Sequence, residues 1–113
     1  MLSFLSRLLG GPSVSADTVR AALTDPSAVV LDVRTKGEWS GGHLDGARHL
    51  DVSGAGFDAG LKKLPKDKTY YVYCRSGSRS GMAVSRMTAQ GFTAHNVGGL
   101  GALASAGLPV KQG

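Results

Sequence analysis

Apolar residues in this chain gather in short runs separated by glycine, proline and polar turns, and the period changes from one run to the next. Ala28-Val29-Val30-Leu31 is continuously apolar and ends at Asp32, as expected of a strand covered on both faces. Residues 69–73 form a second β-rich run, which delivers Cys74, and residues 93–97 form a third; residues 48–51 read as a weak strand. Helical spacing fills the intervals. Ser15 can cap a helix through about residue 23 with Val19, Ala22 and Leu23 on one face. Residues 35–40 make one or two turns stopped by Gly41-Gly42. Residues 56–63 turn Phe57 and Leu61 inward, with Leu64 just beyond. Residues 78–90 bury Met82, Ala83, Val84 and Met87, with Gly91 at the C′ position, and residues 100–106 form a last short helix closed by Gly107.

Strands alternate with helices throughout, which predicts an α/β domain with a mainly parallel central sheet flanked by helices. In such sheets the ligand crevice lies beyond the carboxyl ends of the strands, where Asp32 and Cys74 both fall. With 113 residues there is room for one compact domain, expected over residues 15–113 behind an arm of residues 1–14. The arm begins Met1-Leu2-Ser3-Phe4-Leu5 and is apolar, but it has neither a basic leader nor a small-residue cleavage pattern, so a secretory signal is not expected. No stretch is long enough to span a bilayer. The net charge of +5 comes from scattered basic residues without interleaved aromatics; it fits small anions or an acidic protein partner better than nucleic acid. One cysteine makes no internal disulfide, and one cysteine with three scattered histidines is a poor metal site, so no metal or cofactor is expected. The lone thiol fits a reducing compartment, and a cytoplasmic location is expected.

The sharpest chemical feature is Cys74-Arg75-Ser76-Gly77-Ser78-Arg79, placed where a strand gives way to a helix. Successive backbone N–H groups, a helix start and two arginines all favour an anion there, and such surroundings lower a thiol pKa. A single buried cysteine is commonly just a small hydrophobe; the flanking charges favour a nucleophile instead. Asp32 is either a carboxylate facing the crevice or, preferably, the partner of a loop arginine. Arg34 and Glu38 stand four apart and can pair locally. His43 invites a general-base role, but fastening the turn of residues 42–47 is the plainer expectation. Trp39 is expected to anchor the core.

These residues resemble the single-domain rhodaneses, a family of thiosulfate-type sulfurtransferases. The six-residue loop from Cys74 to Arg79 is similar to the family's active-site loop. Leu31-Asp32-Val33-Arg34, Glu38-Trp39 and Gly42-His43-Leu44-Asp45-Gly46-Ala47 resemble its two upstream signatures, and Val97-Gly98-Gly99-Leu100 with Ala106-Gly107-Leu108-Pro109-Val110 its ending. The chain departs from the usual family pattern at His49, at Asp45 and near Leu103. The resemblance implies a three-layer rhodanese-like domain. It also implies transfer of sulfane sulfur from thiosulfate or a persulfide donor to cyanide or a thiol. Cys74 would be the catalytic nucleophile that carries the persulfide. Arg75, Ser76, Gly77, Ser78 and Arg79 would bind substrate, and Asp32 and Arg34 would support the site. The implied partners are a small anionic sulfur donor and a thiol or cyanide acceptor, with no membrane or nucleic acid involved.

A second function class is a sulfur carrier or interaction module that delivers sulfur to a protein partner. A phosphatase or arsenate reductase is a third. Related phosphatases would call for one more residue between cysteine and arginine, since tetrahedral phosphate needs a wider cradle than one sulfur atom; the count from Cys74 to Arg79 favours sulfur.

Overall fold

The computed structural model describes residues 14–113. Four strands form the central sheet: β1 (Ala28–Asp32), β3 (Arg48–His49), β4 (Thr69–Cys74) and β5 (Thr93–Gly99), in the order β3-β1-β4-β5, all parallel. The helices are α1 (Ala16–Ala22), α2 (Lys36–Gly41), α3 (Phe57–Leu61), α4 (Ser78–Ala89) and α5 (Leu100–Ser105). A separate antiparallel pair joins β2 (His43–Leu44) to β6 (Val110–Lys111) near the carboxyl terminus.

β1 and β4 bury both faces, which explains their continuous apolar character. Side chains alternate across a strand, so Val29 and Leu31 of β1 join Tyr70, Val72 and Cys74 of β4 on the side covered by α3 and α4, where Phe57, Leu61, Ala83 and Met87 complete one core. Val30 and Tyr73 face the opposite side and pack with Val19, Ala22, Leu103 and Leu108, contributed by α1, α5 and the segment after α5. The result is three layers, helix–sheet–helix, with Cys74 at the last position of β4, one of the two inner strands.

Local signals account for most element ends. The Ser15 side chain accepts from Thr18 N at the start of α1. Thr35 and Glu38 form a reciprocal capping box that starts α2. Gly91 follows α4 in the left-handed region, φ +92°. Two expectations are corrected. Met82 is not core: α4 turns Ala83 and Met87 inward and leaves Met82 58 % exposed, because the inward stripe is set by the 83/87 spacing and Met82 lies off it. Trp39 does not anchor the core either; α2 has no buried residue, and Trp39 instead stacks on His43 with ring centroids 3.4 Å apart. No helix among the described residues is long and apolar enough to cross a membrane. The arm expected at residues 1–14 lies outside the described residues except for Val14.

Asp32 and Arg34 bind each other at the end of β1, both buried. Arg34 donates through Nε and Nη2 to the Asp32 carboxylate at 2.7–3.0 Å and through Nη2 to Gly42 O at 2.6 Å, while Asp32 also accepts from Arg34 N at 2.9 Å. This corrects two expectations, since Asp32 serves no arginine of the cysteine loop and Arg34 does not pair with Glu38. The chain turns sharply after β1, which brings Arg34 back over Asp32 two residues earlier. Arg34→Met leaves the Asp32 carboxylate buried without its partner. It is expected to cost about 3–5 kcal/mol in urea unfolding, with much of that recovered in the Asp32→Asn/Arg34→Met double variant.

Candidate active site

The sheet brings Cys74 to the carboxyl edge of β4, and the chain must then turn into α4 within a few residues. Gly77 makes that turn with φ +99°, a conformation that side chains resist. Its N–H is thereby aimed back at the sulfur and donates to Cys74 Sγ at 3.0 Å. Ser80, fully buried in the first turn of α4, places Oγ 3.3 Å from the same sulfur. Burial alone would push the Cys74 thiol up. The Ser80 hydroxyl together with backbone N–H groups of Ser80, Ser76 and Gly77 outweighs it, and the net displacement is downward.

A second layer holds these donors. Asn96 of β5 accepts from Ser80 Oγ at 2.7 Å and from Gly98 N at 3.0 Å, and its Nδ2 donates to Gly77 O at 3.0 Å. One side chain thus ties the cysteine loop, the start of α4 and the end of β5 together. The Ser80 hydroxyl has one proton for two neighbours. Given to Asn96, it leaves Oγ to accept from the thiol; turned toward Cys74, it stabilises the thiolate. Gly99 completes the fit, since a Cβ there would lie 2.2 Å from Arg75 O.

The loop arginines have different fates. Arg79 donates to both Glu38 oxygens, at 2.6 and 2.9 Å, and this pair fastens α2 to the start of α4. The Arg79 guanidinium holds Glu38 well below the ordinary carboxyl range, at about 2. Arg75 is exposed and makes no ion pair among the described residues, as do Ser76 and Ser78 at the loop surface. Arg34 does not contact the sulfur; it is engaged by Asp32 and by Gly42 O. His43 is buried and is held through Nδ1 by Trp39 O at 2.8 Å, while His49 meets Arg34 O through Nε2 at 2.6 Å; both fasten the segment around α2 and neither contacts the sulfur.

The sequence reading singled out Cys74, Gly77 and the loop and passed over Asn96 and Ser80, which the structure places beside them. Ser80 lies one residue past the expected loop and Asn96 reads as an ordinary strand residue. Val97 is the one buried residue of β5, so burial along that strand offered little signal for Asn96. The arrangement can stabilise a thiolate and a sulfur-centred anion formed on it.

A family model described as rhodanese-like domain matches residues 15–104. A sulfurtransferase of Allochromatium vinosum is 31 % identical over 100 residues, which cover 86 % of this chain and 92 % of that protein. A probable adenylyltransferase/sulfurtransferase, MoeZ, of Mycobacterium tuberculosis is 38 % identical over 73 residues, 63 % of this chain but 19 % of that much longer protein. The crystal structure of a rhodanese-related protein from Thermoplasma volcanium superposes with a TM-score of 0.77 at 27 % identity and covers 88 % of this chain and 97 % of its own.

The cysteine's surroundings set its titration. Cys74 is the sole cysteine, so thiolate absorbance, corrected with Cys74→Ser, reports on it alone. The wild-type midpoint is expected below the ordinary thiol value of 9.0, with thiolate lost as pH falls through that lowered midpoint. Ser80→Ala removes a donor to the anion and Asn96→Ala loosens two; both are expected to move the midpoint upward, and an unchanged midpoint in both would remove the network from the account of the thiol.

Proposed function

The chain belongs to the rhodanese-like family, and on that premise we propose that it is a sulfurtransferase moving sulfane sulfur from thiosulfate or a persulfide donor to cyanide or a thiol through a persulfide on Cys74. The observation that carries this reading is the position of Cys74 Sγ, 3.0 Å from the Gly77 N–H at the end of β4 and beside the buried Ser80 hydroxyl.

The chemistry runs in two displacements. The Cys74 thiolate attacks the outer sulfur of thiosulfate; an S–S bond forms to Cys74 as the donor's S–S bond breaks, and sulfite leaves with the electron pair. Cyanide or a thiolate then attacks the outer sulfur of the Cys74 persulfide, and the Cys74 thiolate is regenerated as the leaving group. The donors at Ser80 and in the Gly77 turn stabilise the anion at both ends of the cycle. Arg75 recognises the donor's negative oxygens, with Ser76 and Ser78 as surface hydroxyl donors. Arg79 acts as a positioning residue through Glu38, since its own donors are engaged there. A reducing compartment such as the cytoplasm suits a lone thiol that must remain available.

Intact-protein mass spectrometry tests the reading. Thiosulfate is expected to add one sulfur atom to the wild type and none to Cys74→Ser, and cyanide to remove it. An absence of adduct would set aside thiosulfate as donor. Arg75→Gln, by loss of a charged contact to the donor, is expected to raise KM for thiosulfate roughly tenfold with a smaller change in kcat.

A further inference from the structure

The chain carries a net charge of +5, and most of it falls at one place. Residues 62–68 read Lys62-Lys63-Leu64-Pro65-Lys66-Asp67-Lys68, four lysines against one aspartate, a net +3. They form the turn between α3 and β4. Lys62, Lys63 and Lys66 are exposed and Lys68 is half-buried. Elsewhere cations are answered: Arg20, Arg34, Arg79, Arg86 and Lys111 each form an ion pair with an aspartate or glutamate. Among the described residues no lysine of the turn does, not even with Asp67 beside it.

Like charges this close repel one another, and the turn that carries them is held in shape. Pro65 fixes one backbone angle. The Tyr70 hydroxyl donates to Pro65 O at 2.5 Å, and Lys63 N and Leu64 N donate to Gly60 O and Leu61 O at 3.1 and 3.0 Å. Leu64 packs against the core beneath, and Lys66 stands with Nζ 5.4 Å from the centroid of the Phe92 ring. The ammonium groups therefore project from a fixed base, and an anion brought from outside relieves their repulsion. Position separates this surface from the chemistry. β4 starts at Thr69, directly after Lys68, and ends at Cys74. A strand of that length spans about 17 Å, so the lysines stand at the amino ends of the strands and the sulfur at the carboxyl ends.

We propose that the turn of residues 62–68 docks an acidic segment of a partner protein, an extended stretch rich in aspartate and glutamate, and leaves the cysteine loop uncovered. The chemistry of the turn favours that occupant. Lysine offers a compact charge with three donors, which suits carboxylates presented one at a time along an extended chain. Single-stranded nucleic acid calls for exposed aromatic platforms, and residues 62–68 contain no aromatic. An interfacial membrane contact calls for apolar side chains that insert; the large exposed hydrophobics among the described residues are Met82 and Val110, and neither belongs to the turn. The docking is independent of the sulfurtransferase reading, because it places a partner on the protein without occupying the loop around Cys74.

The test is fluorescence anisotropy with a labelled peptide of alternating aspartate and glutamate, beside its counterpart of asparagine and glutamine. The acidic peptide is expected to bind, more weakly as sodium chloride is raised, and the neutral one not to bind. Lys63→Gln/Lys66→Gln is expected to weaken binding about tenfold. Lys36→Gln/Lys111→Gln, which removes the same charge elsewhere on the surface, is expected to weaken it by no more than about twofold. In an amide NMR titration of the wild type, the shifts are expected around residues 62–69. No binding of the acidic peptide at low salt, binding of the neutral one, equal weakening in the two double variants, or shifts centred on residues 75–80 would each overturn the proposal. So would tighter binding of phosphatidylserine vesicles or of duplex RNA than of the peptide at the same salt. Sulfur transfer is read separately, from the mass gained at Cys74, so the two readings fail independently.

Discussion

The site depends on one close approach of two backbones. At the end of β5, Gly99 lies so near the cysteine loop that a Cβ would stand 2.2 Å from Arg75 O and 2.9 Å from Arg75 C, and a Cβ on Gly77 would stand 3.4 Å from Gly98 Cα. The Gly99 contacts are closed to any residue with a side chain, while at Gly77 the φ of +99° is what disfavours one. The approach follows from the sheet: β4 and β5 are parallel neighbours whose register shifts between Val72 and Cys74, so that Cys74 comes opposite Gly99. With the two backbones this close, Asn96 can reach both Gly77 O and Ser80 Oγ, and the donors around the sulfur become fixed in place before any substrate arrives. Preorganised donors stabilise a developing or displaced anion at no reorganisation cost when the reaction occurs.

Charge is divided in a similarly deliberate way. Asp32 holds Arg34 in the interior, and Glu38 holds Arg79 at the boundary of α2 and α4. These pairs fix the segments on either side of the loop, and they also withdraw two cations from competition for a substrate. A loop bearing several free arginines would attract any anion. Here, among the described residues, Arg75 is the loop arginine outside any ion pair, while the buried sulfur is served mainly by neutral dipoles. On the proposed function, recognition of the donor and stabilisation of the thiolate would fall to different groups.

Much of this was legible along the chain, for reasons that can be located. The strands were visible because both faces of β1 and β4 are buried, which leaves continuous apolar runs. Cys74 and Gly77 were visible because the turn from strand to helix admits few residue types. Pairings between distant segments were not. Glu38 and Arg79 lie 41 residues apart, and Glu38 has a nearer basic neighbour in Arg34, so local spacing pointed to the wrong pair. Asn96 shows the same difficulty: it becomes informative only after β5 is laid beside β4. The β2–β6 pair, two residues on each strand, is too short to carry a period. Met82 failed for a different reason, since two methionines in one helix fit several apolar stripes and only packing chooses among them.

The burial of Cys74 bears on how the proposed persulfide would be accommodated. A fully buried thiolate would ordinarily be disfavoured by its lost hydration, and here that cost is offset by hydrogen bonds aimed at one atom. Adding a sulfur moves the terminal atom about 2 Å outward along the new S–S bond. In the proposed persulfide the inner sulfur would keep its donors at Gly77 and Ser80, and the residues exposed on the loop are Arg75, Ser76 and Ser78. On the proposed function, the arrangement would supply one of the two things a sulfur relay requires, a protected leaving group whose anion the loop already stabilises; the other is an outer sulfur that an incoming nucleophile can reach.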